Sequence, residues 1–302
     1  MSFHSDPAAA VVAMDDAGRL LTGLRTKHAR TRPGYLVFPG GVASDEDCTL
    51  PLLTPPDWPP ELRMGAACAL RELGEETGWW CLGDVSGENP SQSQVEEFAR
   101  RRRLDDSLGE SLGASSLCLD ARALVPLRKW MSAGTRGTKF AVQQFFVKWS
   151  QARAIETPHG PELDAIAWRS PAEILEGWTH GDVVLLPPIR FACQALQDID
   201  PTDWHTASVV DALREAPPDS NLFEVIAGIA VHPFRTPTLP PATTTNTVIL
   251  GTDNLIVVDP APSDDDEVLA LQSLLQLLQS RGRRLQALLL DPKLALAHES
   301  LG

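Results

Sequence analysis

Residues 71–79, which read Arg-Glu-Leu-Gly-Glu-Glu-Thr-Gly-Trp, constrain the fold of this chain more than any other segment. Their spacing puts Glu72, Glu75 and Glu76 on one face of a helix, because side chains three and four apart lie above one another. Like charges at this spacing cost about 0.2–0.5 kcal/mol per pair, so a helix that needed only solubility would carry lysines here. Gly78 is expected to end the helix in a left-handed cap. Stacked carboxylates are the ligands that a hard cation such as Mg2+ prefers.

A solvated acidic face is the alternative explanation, and for a bare Glu-x-x-Glu-Glu triple it would be preferred. The preceding sequence changes this balance. Residues 35–37 are typical of a strand, and Phe38-Pro39-Gly40-Gly41 follows them. Paired glycines after a strand let the backbone approach a ligand closely. The strand, the double glycine and the carboxylate helix together predict a cradle for a metal-bound phosphate group.

These pieces resemble the Nudix box, the signature of the Nudix hydrolases. In that pattern a glycine and then a glutamate precede the run Arg-Glu-aliphatic-any-Glu-Glu-any-Gly-aliphatic. Residues 71–78 match the second half, and Trp79 stands at its last apolar place. The first half departs from the pattern, because Asp47 stands at the glutamate's place after Gly41 and Glu46 comes one place early.

The separation of Gly41 from Arg71 is also longer than in the family pattern. The extra segment, residues 48–60, is rich in proline and cannot be helical throughout, so we interpret it as a surface insertion. Residues 84–116 are polar, with a helix predicted near Gln94–Leu104, and we interpret them as a second insertion that forms a lid or an interface. An interrupted box is similar to a subgroup related to coenzyme A diphosphatases, and to Nudix domains fused to metallo-β-lactamase-like domains.

The order of the predicted elements indicates the α/β class. The Nudix resemblance implies an α/β/α sandwich around a mixed sheet. Apolar and β-branched runs predict strands, and an apolar stripe at helical spacing predicts the carboxylate helix. The strands are expected at residues 7–14, 19–24, 35–38, 117–127 and 139–149, and the helix at residues 61–77.

Residues 1–202 are assigned to the Nudix hydrolase domain, and residues 203–302 resemble the opening of a metallo-β-lactamase-like α/β domain. A hairpin at residues 246–259 and a helix near residues 264–280 support the second assignment. That family carries a His-x-His-x-Asp-His metal motif after the next strand, where this chain has the single histidine His298. Because a dinuclear zinc centre needs several such ligands, we expect a partial, non-catalytic domain.

Composition narrows the function classes. The chain has 302 residues and a formal net charge of −14, which argues against a nucleic-acid partner. Its five cysteines form no Cys-x-x-Cys pair, which favours a reducing cytoplasm. No apolar run reaches about 18 residues, so no membrane span is expected. The basic run Arg100–Arg103 is interpreted as the charged end of an inserted helix, with a phosphate-contacting patch as the alternative.

The resemblance implies Mg2+-dependent hydrolysis of a pyrophosphate bond in a nucleoside diphosphate linked to another moiety. Glu72 and Glu76 are the predicted primary metal ligands, with Mn2+ as an alternative ion. Glu75 is a third ligand or the group that orients or deprotonates the attacking water. Gly41 would add its backbone carbonyl to the metal. Arg71 would hold Glu75 by a charge-assisted hydrogen bond.

Glu162 is the predicted acidic residue of a distal loop, with Glu156 and Asp164 as competitors. Arg30 and Gly40 are the predicted substrate contacts, because the spacing of Arg30 before the box is similar to part of a motif of coenzyme A diphosphatases. Coenzyme A or an acyl derivative is therefore the leading substrate, with ADP-ribose and other nucleotide-linked molecules left open. A homodimer is compatible with this prediction. The rival functions are a non-catalytic nucleotide-binding or regulatory module and a zinc hydrolase in the second domain.

Overall fold

The computed structural model describes most of the chain, in two compact units formed by residues 1–173 with 192–215 and by residues 174–191 with 216–302. The assignment of residues 1–202 and 203–302 to the two named families stays a prediction. Arg30, Glu162 and His298 lie outside the described residues. The described ranges are 5–28, 33–104, 106–133, 139–151, 154–156, 163–197, 199, 206–215, 222–235, 243–260 and 262–289.

The first unit combines strands and helices, in agreement with the predicted α/β class. The strands are β1 (Ser5–Met14), β2 (Leu20–Arg25), β3 (Tyr35–Val37), β4 (Gly40–Val42), β5 (Leu52–Leu53), β6 (Trp79–Asp84), β7 (Leu117–Asp120), β8 (Val125–Ala133), β9 (Lys139–Lys148), β10 (Ala154–Glu156) and β11 (Leu163–Arg169). Among the described residues of both units, the α-helices are α1 (Pro60–Thr77), α2 (Gln92–Arg103), α3 (Leu108–Ser115), α4 (Pro171–His180), α5 (Pro187–Gln197), α6 (Thr206–Arg214) and α7 (Asp265–Ser280).

The main sheet of the first unit is mixed and contains the order β3-β2-β1-β9-β8. β1 pairs in parallel with β9 along its whole length, and β2 and β8 pair antiparallel with their neighbours. β4 also pairs antiparallel with β1, and β11 with β2. Val11, Val12 and Ala13 in the centre of β1 are fully buried, as expected of a strand that is covered on both faces. The predicted α/β class with a mixed sheet is confirmed.

The two predicted insertions are built into a second sheet and its core, in the strand order β10-β6-β7-β5. The first insertion supplies β5, which pairs in parallel with β7. The second insertion supplies α2 and α3, whose Phe98, Leu108 and Leu112 are buried in one cluster with Leu50. The segment therefore contributes to the hydrophobic core; its role as a lid or an interface stays a prediction.

One predicted strand of the first unit, residues 117–127, is instead two strands. β7 ends at Asp120, and the Asp120 carboxylate accepts a hydrogen bond from the backbone N–H of Arg122 at 3.1 Å. A side-chain bond of this kind stabilises a turn and competes with the strand ladder. The sheet change between β7 and β8 follows from that turn.

The described strands of the second unit are β12 (Val184–Leu185), β13 (Phe223–Ile226), β14 (Ile229–Arg235), β15 (Thr244–Leu250), β16 (Asn254–Val258) and β17 (Arg284–Leu289). Five of them form a sheet in the order β13-β14-β15-β16-β17, and α7 packs into its core through Leu274 and Leu278. The predicted hairpin of residues 246–259 and the helix near residues 264–280 are confirmed as β15, β16 and α7. Among the described residues, no helix is both long and apolar enough to cross a membrane.

Candidate active site

Helix α1 carries the carboxylates, and its ends lie where the sequence predicts them. Pro60 occupies the first turn, where its missing N–H costs nothing. Gly78 caps the other end at φ 75°, in the left-handed region that favours glycine. Between them, Ala66 and Leu70 are fully buried and anchor the helix in the core. The face of α1 that carries the carboxylates is thereby held in place.

Arg71 is the centre of the cluster. Its Nη1 donates to Glu72 Oε1 and to Glu75 Oε2, both at 2.9 Å. Its Nε and Nη2 donate to the two oxygens of Asp47 at 2.7 and 3.0 Å, and Nη2 also donates to the Val42 carbonyl at 3.2 Å. Burial alone would lower the pKa of Arg71, but the bonds to Asp47 and the neighbouring carboxylates raise it above its usual range. The predicted contact between Arg71 and Glu75 is present.

Asp47 is the site residue that the sequence prediction missed. Its side chain is fully buried against Arg71, and the 3-10 turn Asp45–Cys48 brings it there. Its Oδ2 also accepts the Ser44 N–H at 2.8 Å. Glu46 instead is exposed and accepts the Gly109 N–H at 3.3 Å. The residue count after Gly41 was the available signal, and it pointed to Asp47.

The two glycines lie beside α1 in the short strand β4. The Gly40 N–H donates to Glu76 Oε2 at 2.8 Å, and Glu76 is only 2% exposed. A Cβ on Gly41 would collide with the carboxylate of Glu72. The Gly41 carbonyl accepts the Cys68 thiol at 3.6 Å. A side chain at position 41 would therefore fill the space that the Glu72 carboxylate occupies.

The chemistry of this donor set suits a hard dication, because it combines carboxylates with a backbone carbonyl. As the side chains stand, Glu72 and Glu75 point to the same nitrogen of Arg71, and Glu76 points to the Gly40 amide. Within the described ranges, no group of three or more His, Cys, Asp or Glu side chains is gathered around one point. The residue types fit a metal ion.

The exposure of the carboxylates is graded. The Glu75 side chain is 38% exposed and that of Glu72 is 14% exposed. Glu75 is therefore the one that water reaches most easily. Of the distal candidates, Asp164 is exposed on β11 and Glu156 lies in β10. The distal acidic residue stays a prediction.

The fold is similar to that of Nudix hydrolases of known structure. A NUDIX hydrolase from Alicyclobacillus acidocaldarius is 26% identical with a TM-score of 0.56, over 72% of this chain and 100% of that one. The MutT protein from Methanosarcina mazei Go1 is 15% identical with a TM-score of 0.32, over 58% of this chain and 84% of that one; this likeness is too low to carry an argument. No protein-family model and no curated protein matches the chain. The similarity to the first structure confirms the predicted Nudix fold and supports the predicted Nudix pyrophosphohydrolase.

Proposed function

We propose that the chain hydrolyses the pyrophosphate bond of a nucleoside diphosphate linked to another moiety, with Mg2+ as cofactor. Coenzyme A or an acyl derivative is the leading substrate. One observation carries the proposal: Arg71 holds Glu72 and Glu75 while the Gly40 amide holds Glu76. The double glycine of β4 and the end of α1 thus meet. Their contacts orient the acidic side chains at that end of α1.

The carboxylates have distinct proposed roles that follow from their surroundings. Glu72 and Glu76 would hold the cation, together with the Gly41 carbonyl. The cation would neutralise charge on the phosphate oxygens. Glu75 is the most exposed of the three carboxylates, so it is the proposed group that orients or deprotonates water. Arg71 orients Glu75 through the 2.9 Å charge-assisted hydrogen bond from its Nη1.

The proposal is tested by phosphate release from ADP-ribose, NADH and coenzyme A, each with and without Mg2+. We expect product only with the metal. Glu76→Gln keeps an oxygen for the Gly40 N–H but removes the charge, so it should abolish turnover and leave the melting temperature nearly unchanged. Glu61→Gln is the matched control, because Glu61 is exposed in the first turn of the same helix. Full activity in Glu76→Gln would contradict the metal-site assignment.

A nucleotide-binding module without catalysis is the second candidate. It is favoured by Asp47, which stands where the Nudix pattern has its first glutamate and is buried against Arg71. Calorimetric binding of ADP-ribose without turnover of any of the three substrates would support it over the enzyme. A zinc hydrolase in the second unit is not proposed, because the sequence has one histidine, His298, where the metallo-β-lactamase-like family carries a His-x-His-x-Asp-His motif.

A further inference from the structure

Helix α2, in the second insertion, ends in four consecutive arginines whose surroundings differ. Arg100 and Arg101 both bond to Glu97 on their own helix. Arg101 also reaches Asp106, and Arg103 is exposed. Arg102 alone of the four forms an ion pair with the carboxylate helix, with its Nη2 lying 3.9 Å from Glu75 Oε1.

The position of Arg102 is set by contacts away from Glu75. Its Nη1 donates to the Asp106 carbonyl at 2.8 Å, and its guanidinium lies over the Trp80 ring at 5.4 Å. Trp80 in turn packs edge-on against the buried Phe98 of α2. Packing in the core of the second insertion therefore places the positive charge of Arg102 beside the candidate active site.

The contact with Glu75 is too weak to explain why the guanidinium of Arg102 lies at this position. Glu75 already has a 2.9 Å bond to Arg71 through its other oxygen. At 3.9 Å the Arg102 contact is beyond hydrogen-bond length, and at 24% side-chain exposure it faces a partly solvated site. Exposed pairs of this kind contribute little to stability. A guanidinium has five N–H donors in a planar fork, so this one keeps capacity for another anion.

The charge balance of the site indicates which kind of anion Arg102 would bind. Three carboxylates, Asp47, Glu72 and Glu75, pair with the guanidinium of Arg71, and a fourth, Glu76, accepts the Gly40 N–H. A diphosphate brings further negative charge, and arginine is the side chain best suited to bind phosphate oxygens in pairs. We propose that Arg102 binds a phosphate of the substrate, which makes the inserted helix α2 part of the substrate site. This inference rests on the proposed function.

The test compares Arg102→Met with Arg103→Met, which removes the same charge from the exposed neighbouring position. Two quantities are measured: the kinetics with the best of the three substrates, and calorimetric binding of α,β-methylene-ADP in the presence of Mg2+. A lost charge-assisted hydrogen bond should raise KM and the analogue's Kd about 10- to 100-fold. We expect kcat to change less than about twofold, because the contact exists before and during the reaction. Arg102→Lys should restore part of the affinity, and Arg103→Met should behave as the unmodified protein.

Three results would overturn the inference. Equal KM and Kd in Arg102→Met and Arg103→Met would exclude a phosphate contact. A lower kcat with unchanged KM would mean that Arg102 positions Glu75 instead. A lack of analogue binding to the unmodified protein would remove the site altogether. If the unmodified protein binds the analogue but turns over no substrate, only the proposed function fails, and the two variants' Kd values still decide the inference.

Discussion

Asp47 offers the sharpest test of how the site is held together. Asp47→Asn preserves the shape of the side chain and removes its charge. One amide end then faces Arg71 with an N–H instead of an oxygen, so one of the two bonds at 2.7 and 3.0 Å becomes a contact between donors. The Arg71 charge stays buried, at 10% side-chain exposure.

The expected loss follows from these contacts. Removing one partner of a buried ion pair costs about 3–5 kcal/mol. Arg71 keeps its bonds to Glu72, Glu75 and the Val42 carbonyl, so we expect the lower end, about 3 kcal/mol. With a urea slope of about 2–3 kcal/mol/M, the unfolding midpoint should fall by about 1–1.5 M.

Tryptophan fluorescence is a suitable signal, because Trp178 is the only one of the eight tryptophans in the second unit. Glu46→Gln is the matched control, since Glu46 is the exposed neighbouring acid and its loss should shift stability by no more than about 0.5 kcal/mol. A midpoint in Asp47→Asn no lower than that of Glu46→Gln would refute the role of Asp47. Mg2+-dependent turnover should fall as well, by up to about 100-fold, because Arg71 loses its anchor and no longer fixes the carboxylates.

Three further predictions concern other contacts. Gly41→Ala should abolish turnover, because the new methyl group displaces the Glu72 carboxylate. Stability measured on the same samples should fall by about 1–3 kcal/mol. Retained turnover would contradict the role of Gly41. At pH 8 a thiol reagent should label only the exposed Cys48 in the native protein. Burial raises the pKa of Cys68 to about 12, and the other three cysteines are also buried. The Cys48→Ser variant should therefore remain unlabelled. Glu224→Gln should destabilise the second unit by about 3–5 kcal/mol, because this buried carboxylate pairs with two arginines. The loss should be measurable as faster hydrogen exchange in β13 and β14. Unchanged exchange would show that these ion pairs are dispensable.

Much of α1 could be predicted because its determinants are local. The prolines before Glu61 and the glycine at position 78 mark its ends within one residue. The bond from Arg71 to Glu75 follows from helical spacing alone. Helix and cap depend on neighbours along the chain, so the local sequence contains the information.

The second insertion shows where local patterns fail. α2 is polar along most of its length, which suggested a surface lid. Its Phe98 is fully buried against Trp80, and Leu108 of α3 joins the same core. Val95 and Phe98, three positions apart in a mostly polar helix, are too weak a periodic signal to predict which face is covered.

The sequence by itself determined the chemistry of the site: three carboxylates, an arginine and two glycines, at spacings that indicate a Nudix-like hydrolase. Only the tertiary structure decided that Asp47 is the buried partner of Arg71 and that the Gly40 amide binds Glu76. It also placed Arg102 beside Glu75. The physical reason is the same in each case, since these contacts join segments far apart in the chain. Their formation depends on the packing of β4, α1 and α2. The count from Gly41 indicated the position of Asp47, but spacing along the chain did not indicate its partner.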